Sequence, residues 1–221
     1  MARHRLRFTK TGRAVYLSHL DLMRTIQRVF SRAGVQIRHT EGFNPHAYIS
    51  VALPLSVGVE SVCELLDFEL TDDTPLADLP ALLTANLPAG IAVVDAYEAE
   101  GKVKDIAWLR LSGLLEYDAA DTADMAARLG TFFAQDEILV RKQTKKKAET
   151  ELDIVPLLRE ISFMPEGAHR VRCRAVAAAQ NPPLSPNLLL DALRQQAAEL
   201  APDFAVFARE EVYGRDMQVF R

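Results

Sequence analysis

The chain has 221 residues, 49% of them apolar and 25% charged, with a formal net charge of −4, the composition of an ordinary folded protein with room for two domains of roughly 100 residues. No run reaches the ~18 apolar residues of a membrane-spanning helix, and the start, MARHRLRF, leads into no apolar signal segment, so a cytoplasmic protein without a membrane partner is expected. Cys63 and Cys173 lie far apart without paired metal-ligand spacing, which predicts two buried free thiols and excludes a cysteine-built metal centre.

Residues 3 to 8 alternate, with Arg3, Arg5 and Arg7 on one side and His4, Leu6 and Phe8 on the other, as on a strand with one solvated face. Ser18 and Asp21 form a capping box that opens a helix running to about Ala33, where Gly34 ends it. Leu22, Met23, Ile26, Val29, Phe30 and Ala33 make its apolar stripe, Arg24, Arg28 and Arg32 recur opposite, and His19 falls angularly on the core side. VQIRHT reads as a second strand, followed by the loop EGFNPH and the apolar stretch YISVALPL. VCELLDFEL is the third strand, LADLPALLTANL the second helix and GIAVVDAYEAE the fourth strand. This order, β-α-β-β-α-β, predicts a ferredoxin-like domain over residues 1–104, with two helices on one sheet face. The open face receives Arg3, Arg5, Arg7 and Arg38.

The same programme recurs over residues 105–221: strand WLRLSGLLEY, helix DTADMAARLGTFFAQ, strands EILVRKQ and HRVRCRAVA, helix SPNLLLDALRQQAAEL and strand FAVFAREEVYG. Arg170, Arg172 and Arg174 alternate as the first strand's arginines do. KKKAETELDIVPLLREISFMPEG is too long for a hairpin loop and predicts an added strand or hairpin. The fold expected is α+β, two tandem ferredoxin-like domains, the second carrying that insertion.

Charge is distributed unevenly. The first 46 residues hold four of the five histidines and nine Lys/Arg against two acids, Asp21 and Glu41, while residues 51 to 101 hold ten Asp/Glu and no Lys or Arg. A basic surface of that density attracts phosphate. Five Lys/Arg within RKQTKKK (Arg141, Lys142, Lys145, Lys146, Lys147) form a second basic run able to clamp a phosphate backbone. In EGFNPH, Gly42 frees the backbone, Pro45 fixes it, Asn44 and His46 offer polar groups, and Phe43 offers a ring to stack on a base. Residue types alone do not choose between a ligand-gripping loop and a structural turn.

His19 and His46, with Tyr16, match the residue types for metal-free acid–base cleavage of RNA, the catalytic alternative to a chain with no catalytic residues. Glu64, Asp67 and Glu69 read as an acidic rim or partner contact. No metal-binding, phosphate-loop, dinucleotide or nucleophile-elbow motif occurs.

The stretch RLRFTKTGRAVYLSHLDLMRTIQRVFSRAGVQIRHTEGFNPHAYISVALPLSVGVES resembles the opening of the radical SAM-linked protein family, an uncharacterised bacterial domain. The resemblance rests on Lys10-Thr11-Gly12, Ser18-His19-Leu20-Asp21-Leu22, Arg24, Ala33-Gly34, Glu41 to His46, Ser50 and Pro54 to Gly58, followed by LDFEL; ELDIVPLL is less close and departs at Val155-Pro156, where the family tends to an Arg-Pro pair. It implies a companion encoded beside or fused to a radical SAM enzyme. That partner would carry the iron–sulfur cluster, SAM and, through a cobalamin-binding region, cobalamin; this chain lacks the C-x-x-x-C-x-x-C triad and would hold no cofactor itself. A looser likeness, at fold level, is to CRISPR repeat-processing endonucleases. The expectation is an RNA-binding or RNA-presenting companion, with a metal-independent endoribonuclease and a pure protein-interaction module as alternatives. The RNA-binding residues expected are Arg3, Arg5, Arg7, Arg38, Phe43, Asn44, His46, Lys142, Lys145, Lys146 and Lys147.

Overall fold

The computed structural model describes residues 2–118, 121–143 and 149–221. The protein is mixed α+β and divides into unit 1, Met1–Asp105 with Val219–Arg221, and unit 2, Ile106–Gln218. The last three residues thus return to unit 1 after the whole of unit 2, which no local pattern in the sequence signals.

In unit 1 the order is β1 (His4–Lys10), a 3-10 turn (Gly12–Tyr16), α1 (His19–Arg32), β2 (Ile49–Ala52), β3 (Glu60–Phe68), α2 (Leu79–Thr84) and β4 (Ile91–Glu98). β1 lies antiparallel between β3 and β4, and β2 pairs with β3, giving the strand order β4-β1-β3-β2. The alternation of β1 sends Leu6 and Phe8 into a core with Leu22, Ile26, Val29 and Phe30 of α1, Leu66 and Phe68 of β3, and Leu79 and Leu83 of α2. Each such side chain contributes roughly 1.5–3 kcal/mol on burial.

Ser18 caps α1 as its sequence predicts: Asp21 N–H donates to Ser18 Oγ at 3.2 Å and the Ser18 hydroxyl donates to the Asp21 carboxylate at 2.7 Å. Gly34 ends it at φ +74, in the left-handed region open to glycine, and the Val35 N–H reaches back to Phe30 O at 3.1 Å.

VQIRHT is not a strand. Val35 and Ile37 are buried as alternation requires, but the segment makes only bridges, Ile37 to Leu70 and His39 to Ala47. The sheet position beside β3 is taken by Ile49–Ala52, from the stretch after the loop.

In unit 2 the order is β5 (Ile106–Glu116), α3 (Thr122–Phe133), β6 (Leu139–Gln143), β7 (Glu149–Asp153), β8 (Leu158–Pro165), β9 (Arg170–Ala178), α4 (Pro186–Gln196) and β10 (Phe204–Gly214). β5 pairs with β10 and β9, and β9 with β8, giving β10-β5-β9-β8. Asp121 caps α3, accepting from the N–H groups of Ala123 at 2.9 Å and Asp124 at 3.4 Å.

EILVRKQ was expected in this sheet and is not there: β6 pairs with β7 in a separate hairpin, and the sheet place is filled by β8, from the insertion. Packing decides this. Phe163 of β8 stacks on Phe133 of α3 at 5.4 Å, whereas the buried Ile138, Val140 and Ile154 fasten the hairpin. Gln195 and Gln196 of α4 donate to the carbonyls of Arg141 and Leu139 at 3.0 and 2.6 Å. No helix among the described residues is long and apolar enough to cross a membrane.

Candidate nucleic-acid interface

The predicted arginine row on β1 does not form an open basic face. Arg5 is fully buried: its Nε and Nη2 meet the two carboxylate oxygens of Asp67 at 2.6 and 3.0 Å, Nη2 also donates to Gly101 O at 3.1 Å, and the Phe220 ring covers it with the guanidinium carbon 4.6 Å from the centroid. Arg3 donates to the same Gly101 carbonyl and lies 3.6 Å from Asp67 Oδ2. Arg7 is half-buried opposite Asp95 and Leu65. Arg38 pairs with Glu69 at 3.0 Å and lies over the Tyr48 ring, and this hydrogen bond and charge hold its guanidinium above the ordinary value. Alternation identified the shared face correctly; what it did not show is that acids and the chain's last residues cover it.

The carboxylates read as a rim are internal. Glu64, Asp67 and Glu69 are 1%, 8% and 9% exposed, which is affordable only because such charges are paired. Among the described residues no three His, Cys, Asp or Glu side chains gather as a metal would require. Cys63 and Cys173 are buried free thiols, and burial pushes the Cys173 thiol up to about 12, far from a reactive thiolate.

EGFNPH forms the tip of a short loop closed by Thr40 and His46: Thr40 N–H donates to His46 O at 2.8 Å and His46 N–H to Thr40 Oγ1 at 2.9 Å. Phe43 at its end is wholly exposed, and Asn44 and His46 are exposed beside it. The loop stands beside the last turns of α1, where Pro45 and His46 share a cleft with Gln27, Arg28 and Ser31. His19 sits at the other end of that helix, about 12 Å of helical rise from Gln27. It is exposed rather than core-facing because it precedes Leu22, the first residue of α1 to enter the core; Tyr16, before it, is 72% exposed. The structure therefore does not assemble His19, Tyr16 and His46 into one acid–base site.

Unit 2 does carry a sheet face with exposed arginines, although carboxylates share it. Phe163 of β8 faces α3, and its partner in register is Cys173, so the residues flanking them point to the side away from α3. Register then places Arg170, Arg172 and Arg174 of β9, Arg110, Ser112, Leu114 and Glu116 of β5, Phe204, Val206 and Glu211 of β10, and Glu160, Ser162 and Met164 of β8 on one face, so that Glu116 lies between Arg170 and Phe204 and Glu211 opposite Arg110. Arg110, Arg170 and Arg174 are exposed, as are Phe204 (59%), Met164 (45%) and Val206 (37%). Arg172 is held by Glu166, whose carboxyl the arginine's hydrogen bond lowers. Lys142 on the hairpin is exposed; Lys145, Lys146 and Lys147 lie outside the described residues. The sequence analysis singled out the β9 arginines but missed Arg110 and Phe204. Their signal was the cross-strand register, which single-strand alternation does not carry.

No curated protein matches the chain. Among solved structures it is similar to a chain of a Cbf5–Nop10–Gar1 complex, at 10% identity and a TM-score of 0.50, over 95% of its own length; it spans 48% of that chain. It is also similar to an unknown protein from Galdieria sulphuraria, at 10% identity and a TM-score of 0.27, covering 94% and 98% of the two chains. The first likeness bears on the fold alone and agrees with a ferredoxin-like unit. At the sequence level, residues 3–186 match the profile described as an uncharacterized protein conserved in bacteria (DUF2344), and the chain belongs to that family.

Proposed function

We propose that this protein is a non-catalytic RNA-binding companion of a radical SAM enzyme, built as two ferredoxin-like units and acting in the cytoplasm. One observation carries the RNA reading: on the face of unit 2 turned away from α3, the exposed Arg110, Arg170 and Arg174 are interleaved with the exposed Phe204, Val206 and Met164, with Glu116, Glu160 and Glu211 among them to set which phosphates can approach. Guanidinium groups bind phosphates, and an aromatic ring lying open on a four-stranded sheet stacks a base. The companion part is supported by the resemblance of the first 70 residues to radical SAM-linked proteins; cluster, SAM and cobalamin chemistry would belong to the partner. The strand orders β4-β1-β3-β2 and β10-β5-β9-β8 support the two-unit reading.

Fluorescence anisotropy with labelled RNA over a salt series tests RNA binding. Affinity should fall steeply with salt and collapse in an Arg170→Glu/Arg174→Glu variant that keeps its fold. Salt-independent binding, or binding unchanged in that variant, would refute the proposal. Co-purification of the native protein should bring down a radical SAM protein, and its absence from the complex would remove the companion role.

A further inference from the structure

The geometry points to a second ligand site, in unit 1: a cleft that binds the phosphate of a nucleotide. It lies beside the last turns of α1, has a volume of about 690 Å³, and is closed on its other side by His39 and by Pro45 to Ala47. That size falls in the range of small-molecule sites. Its polar wall is made by Gln27, Arg28, Ser31, Gln36, His39 and His46, with no carboxylate among the described residues that line it. Asp72, next to the lining residue Thr71, is turned onto the backbone N–H groups of Gln36 at 2.7 Å and Thr74 at 3.1 Å.

These donors are unspent. The side chains of Gln27, Arg28, Gln36 and His46 make no hydrogen bond or ion pair with other described residues. His39 places Nδ1 2.9 Å from Ile37 O, which makes Nδ1 the donor there and Nε2 an acceptor in the neutral ring, so His39 shapes the cleft while the N–H groups for a phosphate come from Arg28, Gln27, Gln36 and His46. The end of a helix ordinarily repels anions through its bare carbonyls. Here three of the last four are occupied, since the N–H groups of Ala33, Gly34 and Val35 donate to Val29, Ser31 and Phe30 at 2.9, 3.2 and 3.1 Å. Arg28 then sets the sign of the cleft, which is wrong for a cation and right for phosphate. Phe43, three residues before His46 and wholly exposed, stands on the same loop outside the cleft lining and offers that loop's aromatic ring to a base reaching beyond the cleft.

A free nucleotide and a nucleotide within an RNA strand present the same group, so the test separates them. Calorimetry on the whole chain would compare AMP, inorganic phosphate, adenosine and a short single-stranded RNA without terminal phosphates. AMP should bind at millimolar concentration or below, with adenosine at least tenfold weaker. Arg28→Gln and His46→Gln should each weaken AMP about tenfold or more while circular dichroism shows an intact fold. Binding of the oligonucleotide alone, lost in Arg28→Gln, would assign the site to a strand. The Arg170→Glu/Arg174→Glu variant should leave AMP binding unchanged, so failure of the RNA face and failure of this cleft are distinct results. Absence of binding by every phosphate-bearing ligand, or binding indifferent to both unit 1 substitutions, would overturn the proposal. So would tight binding of Zn²⁺ that disappears in His39→Gln and His46→Gln, which would make the imidazoles a metal site.

Discussion

Arg5 and Asp67 face each other across β1 and β3 as a two-pronged buried ion pair, with contacts of 2.6 and 3.0 Å. Breaking one side of such a pair leaves a charge in a poorly solvated place, and Arg3, 3.6 Å from Asp67, compensates only in part. Arg5→Leu is therefore expected to cost about 3–5 kcal/mol. The Arg5→Leu/Asp67→Leu pair should recover most of it. Urea midpoints at unchanged m-value measure both; a single variant within about 1 kcal/mol of wild type would show that the pair is dispensable.

Phe204 and the β9 arginines make separable demands on RNA. Arg170→Gln and Arg174→Gln should each lower the salt slope by about one, since each removes one phosphate contact. Phe204→Ala should weaken single-stranded RNA by about 1–3 kcal/mol and leave a duplex of the same sequence unaffected, because only unpaired bases stack on an open ring. Equal losses for strand and duplex would refute stacking at Phe204.

Gly113 of β5 lies opposite Phe207 of β10, and a Cβ on Gly113 would come within 2.5 Å of the Phe207 ring. Gly113→Ala should destabilise unit 2 by about 1–3 kcal/mol through overpacking. Adding Phe207→Leu should return part of that loss in the same chemical denaturation series.

Acid sensitivity has a local source at Asp72. Burial alone would raise its carboxyl, but hydrogen bonds from Gln36 and Thr74 hold it on balance below the ordinary carboxylate value. A lowered folded-state pKa means that its contribution is complete above the unfolded value and disappears as pH falls through the folded one. Asp72→Asn should flatten the stability–pH profile below about pH 4 and leave the two proteins alike at the acid end. The effect will be small, because the carboxyl is only partly shielded from solvent. A profile steepened by Asp72→Asn would reverse this assignment.

Local chemistry made some features legible in the sequence. The capping box at Ser18 and the stop at Gly34 bound α1 correctly, because both act within one turn of the chain. The alternation of β1 identified which residues share a face. It could not say what lies over that face, since Asp67 and Phe220 are remote in sequence. The same limit exchanged β6 for β8: both segments are short and partly apolar, and the stacking of Phe163 on Phe133 selects between them. Of the binding residues expected, those on β1 proved largely internal, while His46 is exposed at a cleft whose other wall, Gln27 to Ser31, follows from no local pattern, and Phe43 is exposed at the loop tip.

The three residues that close unit 1 come after all of unit 2. Phe220 rests on Arg5 in space that Gly101 leaves by lacking a side chain, Arg221 pairs with Asp95 at 2.8 Å, and its carbonyl accepts from Gly101 N–H. During vectorial synthesis unit 1 therefore leaves the ribosome with its buried arginine uncovered, and must wait for more than a hundred further residues before the aromatic seal arrives. A released chain ending at Gln218 would carry every residue of unit 2 and an unsealed unit 1, which makes the latter the natural target for chaperones and proteases.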